Sequence, residues 1–94
     1  MKSYEEMLDQ LKEVGEYAEK DCLLLDGFEG GLVGYILNGD EFHAVYDKEK
    51  MLQYYIITNE CTYEDAVEWF EYNTLRSLPY CAADVRPVIM ETFK

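Results

Sequence analysis

The sequence predicts an α+β protein with the element order αββααβ, in which a β-hairpin and a C-terminal strand form a three-stranded sheet covered by three helices. Three patterns support this fold class. Two Ser/Thr-x-x-acid motifs, at Ser3 and Thr62, each precede apolar residues at helical spacing. The dipeptide Asn38-Gly39 separates two short apolar runs, which is typical of a hairpin. Residues 88–93 are rich in apolar and β-branched side chains and predict the last strand.

The first helix is predicted from residue 4 to about residue 20. Ser3 and Glu6 have the spacing of a capping box, and the apolar residues that follow return to one side of a helix. Gly15 lies on that apolar side. Because a glycine inside a helix costs about 1 kcal/mol relative to alanine, its presence there indicates the close approach of another element.

The second and third helices follow the hairpin. Asp47 can accept hydrogen bonds from free backbone N–H groups, which predicts a short helix over about residues 48–58. Thr62 opens the second Ser/Thr-x-x-acid motif, and Pro79 is a residue that stops helices. The third helix is therefore predicted over residues 63–77.

Two strands are predicted between the first and second helices. The apolar runs 32–37 and 42–46 flank Asn38-Gly39, and both of these turn residues tolerate the positive φ of a type I′ turn. Four glycines between residues 27 and 34 predict turns and a bulged entry into the first strand.

Residues 1–94 are predicted to form a single domain in the cytoplasm. The chain has 94 residues, of which 49% are hydrophobic, and this is enough for one core but not for two. We find neither a secretory signal pattern nor an apolar run of membrane-spanning length in the sequence. The cysteines, Cys22, Cys61 and Cys81, are widely spaced and odd in number, so we expect reduced thiols.

The charge of the chain points to a basic protein as partner. Twenty acidic residues and eight Lys and Arg residues give a formal net charge of −12. Such a chain is repelled by nucleic acid and by anionic membranes, so direct binding to either is not expected. A cationic protein surface would instead attract it, in a salt-dependent manner.

The acidic residues form columns on two predicted helices. Glu64, Glu68 and Glu71 fall on one side of the third helix. A second column lies on the first helix and two further acids lie at the hairpin: Glu6, Asp9, Glu13, Glu16, Asp40 and Glu41. One reading is mimicry of nucleic-acid phosphates, best achieved if the two helices lie side by side. The other is a solvated face that only keeps the protein soluble.

Aromatic residues accompany the acids of the third helix. Trp69 and Tyr72 are the aromatic residues nearest to the acidic side, and Trp and Tyr are common anchors of protein interfaces. They are candidate contacts for the basic partner, and the same patch is a candidate surface for a homodimer. Asn73 falls on the predicted apolar side, where its amide would bind the backbone of the loop 78–86.

Catalytic and metal-binding motifs are weak in this sequence. His43, Cys81 and Asp84 are the residue types of a nucleophilic set, but their spacing matches no known signature. We find no HxxxH, CxxC, EF-hand loop or GxGxxG pattern. The chain is therefore expected not to be an enzyme and to need no metal or cofactor.

The second half of the chain resembles a group of short phage and prophage proteins. The resemblance lies in YDKEKML at 46–52 and TYEDAVEWFEYNTLRSLPY at 62–80, and it extends weakly to LDGFEGGLVGY at 25–35. It implies a viral or mobile-element origin and transfers no catalytic residue. On this basis the sequence favours an inhibitor of a host nucleic-acid-binding enzyme, such as an anti-CRISPR protein acting on the basic groove of a CRISPR effector or another nuclease. The alternative is a small interaction or homodimerising regulatory module without nucleic-acid mimicry.

Overall fold

The computed structural model describes residues 3–25 and 27–93 and confirms the α+β class and the predicted element order. The helices and strands are α1 (Tyr4–Ala18), β1 (Leu32–Asn38), β2 (Glu41–Asp47), α2 (Lys48–Asn59), α3 (Tyr63–Trp69) and β3 (Val88–Met90). Short 3-10 turns precede β1 and follow the third helical region, at Glu29–Gly31 and Leu78–Tyr80.

Side-chain caps determine where the helices begin. Ser3 Oγ accepts a hydrogen bond from the Glu6 N–H at 3.2 Å, and Glu6 Oε1 accepts one from the Ser3 N–H at 3.3 Å. Thr62 and Asp65 form the same reciprocal pair at the start of α3. The Asp47 carboxylate caps α2. These contacts satisfy N–H groups that have no partner inside the helix, so all three predicted helix starts are confirmed.

The sheet has the order β1-β2-β3, with β1 antiparallel and β3 parallel to β2. The predicted hairpin is confirmed, and a register shift between Leu32 and Gly34 confirms the bulge. The turn lies one residue later than predicted, because Asn38 pairs with Glu41 and leaves Gly39 and Asp40 as the loop. Gly39 has a φ of 61° and Asp40 has no positive φ, which is the type II′ pattern and not type I′.

The last strand is shorter than the predicted range 88–93. Val88, Ile89 and Met90 pair with the final three residues of β2. β2 ends at Asp47 and α2 begins at Lys48, so the residues after Met90 have no further β2 residues to pair with.

The third helix begins at residue 63 as predicted, but it is not α-helical over the whole predicted range 63–77. The α-helical part ends at Trp69 and continues as a π-helical segment, Phe70–Leu75. A π turn holds more residues than an α turn. After Phe70, Thr74 therefore faces the core in place of Asn73. Thr74 is accordingly buried, whereas Asn73 is exposed and donates to the Trp69 carbonyl at 3.1 Å. The predicted role of Asn73 as a buried clamp is therefore also wrong.

The core lies between the helices and one face of the sheet. Phe42, Ala44 and Tyr46 alternate along β2 and are fully buried, together with Phe28 and Phe70. They share the cluster with Leu32 of β1 and with residues from each α-helix, namely Leu11, Met51, Leu52 and Ala66. The alternation is that of a strand with one covered face.

Gly15 and Tyr46 show how closely the first helix and its following segment approach this core. A Cβ atom at Gly15 would lie 3.6 Å from the Phe42 ring and 2.8 Å from the Lys20 carbonyl, which confirms the predicted close approach. The buried Tyr46 hydroxyl accepts a hydrogen bond from the Leu25 N–H at 2.9 Å. Burial raises the pKa of Tyr46 to about 12, so this hydroxyl stays neutral over the physiological range.

Candidate functional site

Three of the predicted contact residues meet at a shallow depression between α2 and the third helical region. The depression has a volume of about 450 Å³. Its lining residues are Tyr55, Asp65, Glu68, Trp69, Tyr72 and Asn73. We call these residues, together with the neighbouring Glu64 and Glu71, the α3 surface.

A stacked aromatic pair forms the floor of the α3 surface. The rings of Tyr55 and Trp69 are 4.6 Å apart with an interplanar angle of 27°, and the buried Phe28 lies 5.0 Å from Trp69. Burial raises the pKa of the Tyr55 hydroxyl. Trp69 is partly buried in this stack, whereas Tyr72 is 63% exposed. Trp69 therefore supports the surface, and Tyr72 is its more exposed aromatic ring.

The three glutamates of the α3 surface form no ion pair within the part of the chain that the structure describes. Glu64, Glu68 and Glu71 are exposed, and the ion pairs found within the described residues do not include them. Arg76 lies on the same stretch of chain, but its guanidinium carbon is 4.7 Å from the centroid of the Tyr72 ring and stacks on it. A guanidinium group can therefore occupy the face of Tyr72 in this fold.

This combination of groups suits a cationic ligand. Carboxylates accept charge-assisted hydrogen bonds from Arg and Lys, and aromatic faces attract the same cations. Asp65 is partly committed to the cap of α3, through its contact with the Thr62 N–H at 3.5 Å. Glu68 lines the depression, is exposed, and forms no ion pair with the residues that the structure describes.

The other predicted acids lie elsewhere. The column on α1 is exposed as expected and consists of Glu6, Asp9, Glu13 and Glu16. However, α1 packs against β1 and α3 packs against α2, so the two acidic helices do not form the side-by-side pair that phosphate mimicry would favour. At the hairpin, the Asp40 carbonyl accepts a hydrogen bond from Lys20, and the Glu41 carboxylate lies 3.2 Å from His43 Nε2.

The candidate nucleophilic residues do not form a catalytic arrangement. The ring nitrogens of His43 contact the Arg86 carbonyl at 2.8 Å and Glu41, and Cys81 Sγ points to the Ser77 carbonyl at 3.8 Å. Asp84 pairs with Lys20 at 3.1 Å, and this hydrogen bond holds the pKa of the Asp84 carboxyl below its usual value. Within residues 3–25 and 27–93, no group of three or more His, Cys, Asp or Glu side chains is arranged to hold a metal ion.

Sequence reasoning missed two features of this molecule. Tyr55 and Asp65 belong to the α3 surface, and the positions 65, 68, 69 and 72 have the spacing of one helix face, which is a usable signal for Asp65. Nothing local in the sequence places Tyr55 there, since it comes from α2. The second feature is a larger groove of about 1070 Å³ along the start of β1, with apolar walls from α1, β1 and α2.

Comparisons with protein-family models, with curated proteins and with solved structures give no match to this chain. Among the helices of the described residues, none has both the length and the apolar character that crossing a membrane requires.

Proposed function

We propose that this protein acts without catalysis, by binding a basic nucleic-acid-binding enzyme of a host and inhibiting it. In this proposal the α3 surface enters the cationic groove in which the enzyme holds its nucleic acid. The observation that carries it is a set of three exposed glutamates, Glu64, Glu68 and Glu71, which form no ion pair within the described residues, and of which Glu68 shares a depression with the exposed Tyr72. The resemblance of residues 46–80 to phage proteins supports a host target, such as a CRISPR effector or another nuclease.

The acids of the α3 surface are spaced more widely than the phosphates of a DNA duplex. Successive carboxylates on one helix are about 4.5–6 Å apart along the axis, given a rise of about 1.5 Å per residue. Duplex DNA presents a charge about every 1.7 Å of its axis. The α3 surface therefore does not reproduce a duplex. It supplies a few anchor points for Arg or Lys side chains, with Tyr72 as the packing contact, while the net charge of −12 accelerates the encounter.

Charge reversal on α3 tests this proposal directly. The triple variant Glu64→Lys, Glu68→Lys and Glu71→Lys should lose binding to a basic target protein by at least about 100-fold, because it replaces attraction by repulsion at the anchor points. A matched control reverses three acids on α1: Asp9→Lys, Glu13→Lys and Glu16→Lys. Both variants change the net charge by the same amount, and all six positions are exposed, so both should keep the fold.

The assay captures basic proteins from a bacterial lysate on the immobilised wild-type and variant chains, with duplex DNA as competitor. The expected result is one basic protein that the wild type and the α1 variant retain, that the α3 variant loses, and that DNA displaces. Equal losses for the two variants would show that only the net charge matters. The acids would then be solubilising, and the alternative of an interaction module without nucleic-acid mimicry would be favoured.

A further inference from the structure

The first strand of the sheet has an open edge. Because the hairpin loop has two residues, Asn38 and Glu41 form its closing hydrogen-bonded pair, and hydrogen-bonded pairs then alternate along the ladder. Gly34 and Ile36 bond to β2, while the N–H and C=O groups of Tyr35 and Leu37 point outward. The Phe42 N–H supports this assignment, because it points away from β1 and donates to the Asp84 carbonyl at 2.8 Å.

The side chains of β1 are apolar and exposed, which is unusual for an edge strand in this charged chain. No Asp, Glu, Lys or Arg occurs in Leu32–Asn38. The side chains of Val33, Tyr35, Ile36 and Leu37 are each 37–42% exposed. Natural edge strands are commonly protected by charges, prolines or a covering segment, and β1 contains neither a charged residue nor a proline. We call this strand and its outward backbone groups the β1 edge.

The chain exposes more surface than is expected for a folded monomer of its mass. The chain exposes 6504 Å² at a mass of 11.0 kDa. A folded monomer of that mass is expected to expose about 5,600 Å². The excess of roughly 900 Å² is close to the ~800 Å² that each partner contributes to a standard interface. The radius of gyration is 13.6 Å, against about 12.4 Å for a monomer of this length.

We propose that the β1 edge pairs with the β1 edge of a second copy of this chain. The two strands run antiparallel about a two-fold axis at Tyr35 and form one continuous six-stranded sheet. Residues that lie directly opposite each other in antiparallel strands point to the same face of the sheet. Two copies of one strand meet this condition only if the two-fold axis passes through a residue, and not between two residues. With Tyr35 on the axis, its outward N–H and C=O groups bond to those of the second Tyr35, and Leu37 bonds to Val33 of the second copy.

The sequence of β1 is complementary to itself in this register. Gly34 lies opposite Ile36 of the second copy, so the residue without a side chain faces a large one. Leu37 lies opposite Val33, and the two Tyr35 rings meet on the face that bears the helices. That face opens into the groove of about 1070 Å³, whose apolar walls include Met7, Leu11 and Tyr54.

A second copy is proposed because the register of β1 is complementary to itself. The charge of −12 on each copy opposes association, but β1 brings no carboxylate of its own into the contact. An isologous interface also places the same excess surface on both partners. This inference does not depend on the proposed function, since β1 and the α3 surface are built from different residues.

A proline at residue 37 tests the pairing. Leu37→Pro removes an outward N–H but none of the hydrogen bonds to β2, and proline is tolerated on an edge whose N–H faces solvent. Leu37→Ala is the matched control, since it shortens the same side chain and keeps the N–H. We expect the wild type and Leu37→Ala to sediment at twice the 11.0 kDa chain mass. Leu37→Pro should weaken the dimer at least about 30-fold with an unchanged circular dichroism spectrum.

Two outcomes would overturn the proposal. One is a wild type that stays monomeric at about 1 mM, the concentration range of very weak association, which would leave the β1 edge to an extended segment of another protein. The other is a Leu37→Pro variant that is folded and as dimeric as Leu37→Ala, which would place the interface elsewhere.

Disulfide cross-linking provides a second test that does not depend on the folding of the proline variant. Tyr35→Cys is made in a chain whose three native cysteines are replaced by serine. The two new cysteines would have Cα atoms about 5.5 Å apart, within the range of about 4.4–6.8 Å that a disulfide spans. Mild oxidation should cross-link most of this variant and little of a Tyr80→Cys control, whose native side chain is 92% exposed. Equal cross-linking of both variants would contradict the proposed axis.

Discussion

The α3 surface and the β1 edge are both exposed, yet their chemistry is opposite. The stretch Tyr63–Leu75 contains four acidic residues and no basic one, whereas Leu32–Asn38 contains neither kind. The α3 surface offers carboxylates and one exposed ring, a combination that suits a cationic ligand. The β1 edge offers backbone groups and aliphatic side chains, and it can bind an uncharged strand. In our two proposals, the surface that attracts a basic protein is therefore separate from the surface on which two copies meet.

The largest expected effect distinguishes the two aromatic residues of the α3 surface. Trp69→Ala removes a ring that stacks on Tyr55 and packs against Phe28, so it should lower the free energy of unfolding by about 3 kcal/mol. Tyr72→Ala should change it by less than about 0.5 kcal/mol, because that side chain is 63% exposed. Urea denaturation monitored by circular dichroism measures both values.

Binding of a cationic ligand should depend on Tyr72, although this residue contributes little to stability. Tyr72→Ala should weaken binding of an oligo-arginine peptide about tenfold while the fold persists. Tyr17→Ala on α1 is the control, since Tyr17 is also highly exposed, at 85%, and lies outside the α3 surface. An equal loss of peptide affinity in Tyr17→Ala and Tyr72→Ala would remove the distinction between the α3 surface and the rest of the exposed surface.

Salt should act on the two regions with opposite sign. Raising the salt concentration from about 0.1 M to about 1 M shortens the Debye length from about 10 Å to about 3 Å. Binding of an oligo-arginine peptide to the α3 surface should then weaken at least about tenfold. Self-association through the β1 edge should instead strengthen several-fold, because the salt screens the repulsion between two chains that each carry −12. Isothermal titration calorimetry measures peptide binding, and sedimentation measures self-association, at both salt concentrations. A dimer that dissociates when salt is added would show that its interface is formed by charged residues.

The sequence predicted the features of this molecule that depend on residues close together in the chain. The caps at Ser3 and Thr62, the hairpin and the close approach at Gly15 follow from local patterns. Glu68, Trp69 and Tyr72 were likewise predicted as candidates from helical spacing, and the structure places them in one depression.

The remaining features depend on tertiary packing. Whether a helix continues as α or π after Trp69 is decided by which of Asn73 and Thr74 fits against the core, and both are compatible with the local pattern. The exposure of β1 could not be predicted either, since an apolar run looks the same in an edge strand and in a central one. Only the strand order β1-β2-β3 shows that one side of β1 is open.

The smallest expected effect concerns the charged contact that lies near the β1 edge. Lys20 binds both the Asp84 carboxylate and the Asp40 carbonyl at the hairpin loop, so it connects the end of α1 to the hairpin and to the segment before β3. The pKa of Asp84 is lowered mainly by its hydrogen bond to Lys20. A carboxyl group whose pKa is lower in the folded state stabilises the fold above its unfolded pKa of about 3.9, and this contribution is lost as the pH falls through the folded value.

Asp84→Asn should therefore lower the melting temperature slightly at pH 7 and should melt like the wild type once the pH is well below about 3.9. Asp9→Asn removes the same charge from an exposed residue outside the ion pairs of the described chain, and it should leave the difference between neutral and acidic pH as in the wild type. Thermal melting of the three proteins across this pH range provides the measurement. If Asp84→Asn keeps the full pH dependence of the wild type, Lys20 does not stabilise the hairpin through Asp84, and the β1 side of the molecule owes its position to hydrogen bonding and apolar packing alone.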